Sequence, residues 1–231
     1  QKKDEQQARK NLEIVLRKKD SPARSEAEFV IGDLNMKRLK SPDAAPGDEV
    51  YTIQSGDTLS KLQSRLKVPM DLLMGINDLK PTSLRIGQQI RVPHLDVSLT
   101  IDKPNRTLTI FNNGDFLKKY RVGLNLDDKH LLAGSYAVMK KHANGLDYVE
   151  DGSRETIKAG APDNPYGSRF IELRRGVGIH GTEDEEKIGM LVSAGSVVMS
   201  NHDVEEVYAL VKTRTPVVVK GSVNPDAEQG K

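Results

Sequence analysis

Val97-Ser-Leu-Thr-Ile-Asp-Lys-Pro-Asn-Arg-Thr-Leu-Thr-Ile-Phe-Asn-Asn-Gly-Asp-Phe-Leu-Lys-Lys-Tyr-Arg-Val-Gly123 is the stretch on which the fold turns. Val97, Leu99 and Ile101 alternate with polar residues, as do Leu108 and Ile110, which is the period of a half-buried strand. Asn112-Asn113-Gly114-Asp115 then supplies the residues a tight hairpin turn needs, and Phe116, Leu117, Tyr120 and Val122 continue on the returning strand. Downstream, Ser135–Lys140, Phe170–Leu173, Val177–His180 and Pro216–Val219 read as further strands. Asp203–Lys212 carries Val204, Val207, Tyr208 and Val211 on one helical face. Residues 97–221 are therefore expected to form a mostly-β domain with one or two short helices, followed by a tail at 222–231.

The whole chain has 231 residues, with 35 basic and 33 acidic side chains and a net charge of +2. That balance gives no electrostatic case for nucleic acid as a partner. Mean hydropathy is −0.53, and no apolar run approaches the ~20 residues of a membrane span. There is no cysteine, which excludes disulfides, thiolate metal sites and thiol nucleophiles together. Tryptophan is absent, so any stacking platform is small. The chain starts at Gln1 and its first twenty residues are polar and charged, so an export signal or anchor is expected to precede it; a cloning boundary would explain the start equally well.

Upstream, residues 1–40 read as a helical hairpin. Ala8, Leu12, Val15 and Leu16 make one stripe, and Ala23, Ala27, Val30, Ile31 and Leu34 a second, with Ser21 as the expected cap between them. Residues 41–49 hold two prolines, a glycine and no large apolar side chain, a linker composition. In residues 50–93 the order is strand, helix, helix, strand. Gly56 permits a tight turn, Asp57 is the expected helix cap, Leu59, Leu62 and Leu66 follow, Val68-Pro69 breaks the helix, and Asn77-Asp78 stops a second one. The architecture expected overall is a multidomain α+β protein.

Tyr51-Thr-Ile-Gln-Ser-Gly-Asp-Thr-Leu59, Asn77 and Leu84-Arg-Ile-Gly-Gln-Gln-Ile-Arg-Val-Pro93 resemble the LysM module across the whole segment. The resemblance implies a βααβ fold that binds N-acetylglucosamine-containing glycans in a shallow groove, largely through backbone groups. Gly56, Asp57, Thr58 and Leu59 would form one wall, and Ile76, Asn77 and Asp78 the other. Turn and cap chemistry requires the same residue types without any sugar.

A constellation that could carry chemistry lies at Gly178-Ile-His-Gly-Thr182 and Ser193-Ala-Gly-Ser-Val-Val-Met-Ser-Asn201. A histidine and a hydroxyl in a glycine-flanked turn can act as base and nucleophile, though a chain with five histidines offers such pairs by accident. The wider pattern is more specific. Ile101–Ile110, Gly134–Val138, Gly160-Ala-Pro-Asp-Asn-Pro-Tyr-Gly167, Gly178–Thr182, Ile188-Gly189 and Asn201-x-Asp203-Val-Glu-Glu206 run in the order of the L,D-transpeptidase domain, the YkuD or ErfK/YbiS type. That resemblance implies a cysteine that attacks a meso-diaminopimelate carbonyl of a tetrapeptide stem. An early histidine activates the thiol, and the acyl group passes to a second stem as a 3→3 cross-link or to a lipoprotein.

The chain departs from the signature where the chemistry sits. Ser193, Gly195, Val197 and Met199 match, but Ala194 stands for the second histidine, Ser196 for the cysteine and Val198 for the arginine. Ala133 stands where the family usually has proline ahead of its Gly-x-Tyr strand. A serine hydroxyl needs a placed base, an orienter and an oxyanion hole. Three readings follow: a natural pseudoenzyme, which explains all three replacements; a serine-variant acyltransferase or peptidase with Ser196 as nucleophile, Gly195 beside it and His180 as base; and an L,D-transpeptidase deliberately mutated at its nucleophile, which explains Ser196 alone. The expected role is peptidoglycan binding in the periplasm or extracytoplasmic envelope. The expected partners are glycan strands and stem peptides, with no cofactor. His130, His142 and His202 read as surface or packing histidines, with no metal spacing. Arg169, Arg174 and Arg175 flank the expected site, either to meet stem carboxylates or to protect a sheet edge.

Overall fold

The structure is a computed structural model that describes residues 2–18, 20–41, 47–80, 84–149, 154–193 and 196–223. The chain divides into two compact units. The first comprises Gln1–Asp96 with Phe111–Lys119, and the second Val97–Ile110 with Tyr120–Lys231.

In the first unit, α1 (Lys2–Arg17) packs against α2 (Arg24–Lys40). Leu12, Val15 and Leu16 are half-buried, but Ala8 is exposed. On α2 the buried face is Ala27, Ile31, Gly32 and Met36, while Val30 faces solvent. Ser21 does not cap this helix through its side chain. Ala23 occupies the cap position without a side-chain bond, and the Ser21 carbonyl accepts the Arg24 N–H at 2.9 Å. The outer face of α2 meets Phe111–Lys119. Lys118 pairs with Asp33 at 2.8 Å, Lys119 with Glu28 at 2.8 Å, and the Asn35 amide donates to the Leu117 carbonyl at 2.8 Å. A Cβ on Gly32 would lie 3.0 Å from the Lys118 Cα, so this close approach favours glycine.

The same unit holds β1 (Glu49–Thr52), α3 (Leu59–Leu66), α4 (Met70–Ile76) and β2 (Gln89–Val92), with β1 and β2 paired antiparallel. Glu49, placed in the linker by composition, is the first residue of β1; residues 42–46 of that linker lie outside the described residues. Leu62 and Leu73 are fully buried between the helices and the strand pair. Asp57 does not cap α3. Thr58 does, accepting the Lys61 N–H, while Asp57 turns back to take the Gln54 N–H at 2.9 Å and the Tyr51 hydroxyl at 2.8 Å. Buried Arg91 of β2 ion-pairs with Asp48 and donates to the carbonyls of Leu39 (2.9 Å) and Ser41 (2.5 Å), which fastens the end of α2 to this module.

Two larger sheets follow β2 in the chain. One is ordered β5–β4–β3–β15–β7, from β3 (Val97–Asp102), β4 (Thr107–Asn112), β5 (Asp115–Arg121), β7 (Gly134–Ala137) and β15 (Pro216–Lys220). The other is ordered β13–β6–β14–β12–β11–β8, from β6 (Gly123–Asn125), β8 (Lys140–His142), β11 (Phe170–Arg174), β12 (Val177–Thr182), β13 (Leu191–Val192) and β14 (Val197–Ser200). A two-stranded pair, β9 (Tyr148–Val149) with β10 (Thr156–Ile157), completes the set. The hairpin turn has Asn113 at φ 51 and Gly114 at φ 83, the left-handed pair of a type I′ turn. The expected strand 135–140 is two strands in different sheets. Val138 donates to the Thr215 carbonyl and Met139 to that of Glu172, so the chain changes sheets between them. The last helix, α5 (Asn201–Leu210), begins and ends two residues before the expected span. Its cap is the Ser200 hydroxyl, which accepts the Asp203 N–H, and its buried face packs on β12 and β14.

Candidate functional site

The site is assembled on β12 and β14, which run parallel with His180 opposite Val198. β12 is buried along its whole length. Gly178 and Gly181 bracket His180 for a packing reason: a Cβ on Gly178 would fall 2.1 Å from the Ile171 carbonyl oxygen, and one on Gly181 would fall 2.1 Å from the Asn201 Oδ1. The Asn201 side chain accepts the Ser168 N–H at 2.8 Å and donates to Glu183 at 2.6 Å, so it joins the start of α5 to both loops beside β12.

The imidazole of His180 is 3% exposed. Phe170, its register partner on β11, stacks on it at 5.7 Å between centroids, and Tyr166 meets it edge-on at 5.0 Å. Tyr166 is held by Asn164, whose carbonyl oxygen takes the Tyr166 N–H (2.8 Å) while its amide donates to Leu146 (2.8 Å) and Lys158 (2.9 Å). The His180 Nδ1 lies 2.9 Å from the Gly181 carbonyl oxygen. A carbonyl accepts only, so Nδ1 carries the proton and Nε2 is left with its lone pair. Nε2 is buried and has no hydrogen-bond partner among the described residues. Burial pushes the pKa of His180 down to about 4. The Gly181 carbonyl opposes that shift, and the Lys187 cation reinforces it. At neutral pH the ring is an uncharged hydrogen-bond acceptor.

His180 lines a cavity of about 90 Å³ with Tyr148, Pro165, Tyr166, Lys187, Val192, Ser193 and Val198. That volume admits several waters or a small ligand group. Ser196 is elsewhere. It is 6% exposed and lines a second cavity of about 10 Å³ with Lys103, Leu124, Asn125, Asp127, Leu131 and Val223. Neither ring nitrogen of His180 bonds the Ser196 hydroxyl. The structure thus shows no hydrogen bond between the two residues that their spacing suggested as base and nucleophile. Gly195 and Ala194, the other positions named at this turn, lie outside the described residues. Lys187 and Tyr148 on one side, and Lys103 on the other, enter these cavities from distant loops, and no local motif announces them.

The remaining expected residues are placed as follows. Gly56 adopts φ 82 and Asp78 φ 48, as tight turns require. Leu59 and Ile76 are buried. Asp57 is an anion whose pKa is lowered, first by the Gln54 N–H, then by the Tyr51 hydroxyl and by Arg65, which pairs with it at 3.2 Å. The Asn77 side chain accepts the Arg91 N–H (2.7 Å) and donates to the carbonyls of Leu73 (2.9 Å) and Arg91 (2.8 Å). The side chains of Asp57, Thr58 and Asn77 are engaged within the module, which leaves backbone groups and the exposed Asp78 for an outside ligand. Arg169 donates to the Ala143 carbonyl at 2.5 Å and lies 3.8 Å from Glu205; Arg174 donates to the His130 carbonyl at 2.9 Å. His142 pairs with Glu172 at 3.2 Å. One set that spacing did not single out, His202, Asp203 and Glu206, brings three possible ligand atoms within 4.8 Å of one another. Within it His202 already contacts Asp203 (3.3 Å), and Glu206 accepts the Tyr120 hydroxyl (3.1 Å).

Two family patterns match the chain: a LysM domain over residues 51–93 and the L,D-transpeptidase catalytic domain, YkuD, over residues 96–219. YkuD of Bacillus subtilis strain 168, which carries the name of an L,D-transpeptidase, is 26% identical over 176 residues, 73% of this chain and 97% of that protein. YqjB of the same organism, also named for that activity, is 28% identical over 130 residues, 54% of this chain and 71% of its own length. Among solved structures, an L,D-transpeptidase from Mycobacterium smegmatis is 18% identical, covers 59% of this chain and 65% of its own, and superposes with a TM-score of 0.44. With its second unit matched nearly end to end, the chain belongs to the L,D-transpeptidase (YkuD) catalytic domain family and carries a LysM domain ahead of that domain.

Proposed function

We propose that this protein binds peptidoglycan in the periplasm or extracytoplasmic envelope and that its L,D-transpeptidase domain performs no acyl transfer. Its LysM domain takes the N-acetylglucosamine strand between the Gly56–Leu59 and Ile76–Asp78 loops, and the His180 cavity takes part of a stem peptide. The observation that carries this reading is the complete absence of cysteine from a chain of this family. Thiol chemistry is excluded outright. The alcohol at Ser196 has no bond to His180, so the activation a serine requires is missing. Removing a nucleophile or base from a working set costs roughly 10⁴–10⁶ in rate. Val198 supports the same reading: an apolar side chain, 1% exposed, sits opposite His180 where the family signature has arginine. Two linked modules on one polymer gain avidity even where each is weak. Among the described residues no helix is long and apolar enough to cross a membrane.

The test uses the unmodified chain and intact-mass spectrometry after exposure to a carbapenem and, separately, to disaccharide-tetrapeptide. No adduct and no 3→3 dimer are expected, while pull-down on purified sacculi retains the protein. An adduct mapped to Ser196, or dimer formation abolished by Ser196→Ala, would replace this reading with that of a serine acyltransferase. Ala194→His, Ser196→Cys and Val198→Arg together are expected to restore acylation if the stem pocket persists. Ser196→Cys alone, scored by thiol labelling, checks whether that position can be reached at all.

A further inference from the structure

The largest concavity described lies in the first unit and is lined by none of the residues of either expected site. It is a groove of about 430 Å³ walled by the end of α2 (Asn35, Arg38, Leu39), the segment after β2 (Pro93, His94, Leu95) and the hairpin tip (Asn112, Asn113, Asp115, Phe116, Leu117), with Asp48 and Arg91 at its floor. That volume falls in the range of small-ligand sites. Its polar groups are mostly committed. Arg91 and Asp48 neutralise each other, His94 pairs with Glu49 at 2.9 Å, Asn112 accepts the Asp96 N–H at 2.9 Å, and Asn35 bridges Arg9 and the Leu117 carbonyl. Two charges are not committed: among the described residues neither the Arg38 guanidinium nor the Asp115 carboxylate has an ion-pair or side-chain hydrogen-bond partner. The same groove is lined by the apolar side chains of Leu39, Leu95, Phe116 and Leu117.

We infer that this groove binds a short peptide bearing both a free carboxylate and a free amino group. Arg38 takes the carboxylate through its planar fork, which suits a two-point bond. Asp115 takes the ammonium, and the four apolar side chains cover the ligand's methyl and methylene groups. A purely anionic ligand would be repelled by Asp115, and a purely cationic one by Arg38, so charge complementarity selects a molecule that carries both signs. Free wall stem peptides have this chemistry. The groove would then be a second peptide site, separate from the His180 cavity.

The experiment titrates the full chain with free L-Ala-D-Glu-meso-diaminopimelate-D-Ala by calorimetry and by amide chemical shifts. Arg38→Gln and Asp115→Asn are each expected to weaken binding about tenfold or more, the effect of losing one charge-assisted contact. Shifts are expected at 113–117 and 38–39, and affinity should fall with added salt. Both side chains are exposed, and circular dichroism checks that each variant remains folded. Affinity unchanged in both variants, no binding at all, or binding abolished by His180→Gln with no shift at 113–117 would each overturn the inference. Chito-oligosaccharide binding, measured on the same variants, is expected to stay constant, so a failure here is distinct from a failure of the LysM reading.

Discussion

Among the described side chains, His180 holds a neutral ring where an ordinary histidine would begin to charge, because burial removes the water that a cation needs. Its folded pKa of about 4 lies below the ordinary 6.5, so the unfolded chain binds the proton first as pH falls. The stability tied to the neutral ring is complete above about pH 6.5 and is lost progressively as pH drops from there to about 4. A gap of that size corresponds to about 3 kcal/mol at the acid end. His180→Gln is therefore expected to flatten the fall in urea midpoint between pH 7 and pH 4.5 relative to the unmodified protein; equal slopes in the two would show that the ring is hydrated. Asp57, Asp147 and Glu172, whose pKa values are lowered, lose their contributions only below the ordinary carboxylate range, outside this window. Gly181 beside His180 has a packing reason, since a Cβ there would fall 2.1 Å from the Asn201 Oδ1. That Ser196 and His180 line different cavities was not readable, because spacing along the chain does not encode which cavity each strand end faces.

Short elements here are held by single side chains that join one end to another. Asn77 ends α4 and at the same time makes three bonds to backbone groups of Leu73 and Arg91. Removing it leaves partly buried donors and acceptors without partners. Asn77→Ala is expected to cost about 2–3 kcal/mol. Chito-oligosaccharide affinity should be kept below the lowered melting temperature if sugar contacts come from backbone, and lost at all temperatures if the Asn77 amide itself touches sugar. Elements whose signal is local were legible: the Asn113-Gly114 turn, the break at Pro69 and the β1–α3–α4–β2 order all follow from residues that adopt special dihedrals or lack an N–H. Two boundaries moved for an equally local reason: Thr58 rather than Asp57 supplies the capping oxygen of α3, and Ser200, whose hydroxyl caps α5, starts that helix two residues before the expected Asp203. The division of 134–142 into β7 and β8 was hidden, because apolar alternation runs on through Val138 while the chain changes sheets. Sheet order was hidden as well, because the parallel pairs β3–β15 and β12–β14 join segments far apart in sequence.

At the scale of the molecule, the compact units do not coincide with consecutive stretches of chain. The sequence pattern ends one segment at 93 and opens the next at 97, yet Phe111–Lys119 belongs to the first unit. Those residues supply the Leu117 carbonyl for Asn35, the partners of Asp33 and Glu28, and the backbone that sits against Gly32. A fragment ending at Asp96 keeps the Arg91–Asp48 pair and the Leu62–Leu73 core but loses every one of these contacts to α2. Hydrogen exchange on fragment 1–96 is thus expected to show α2 amides between Glu28 and Asn35 exchanging at least about tenfold faster than in the full chain, with the amides of α3 and α4 little changed. The Lys118–Asp33 and Lys119–Glu28 pairs are partly buried, so their loss should add to that of the uncovered Gly32 face and the broken Asn35 bond. Supplying a peptide of residues 111–119 in excess should slow α2 exchange again. If α2 is equally protected in the fragment, the hairpin tip is incidental to the first unit, and the two family domains are separable between residues 93 and 97.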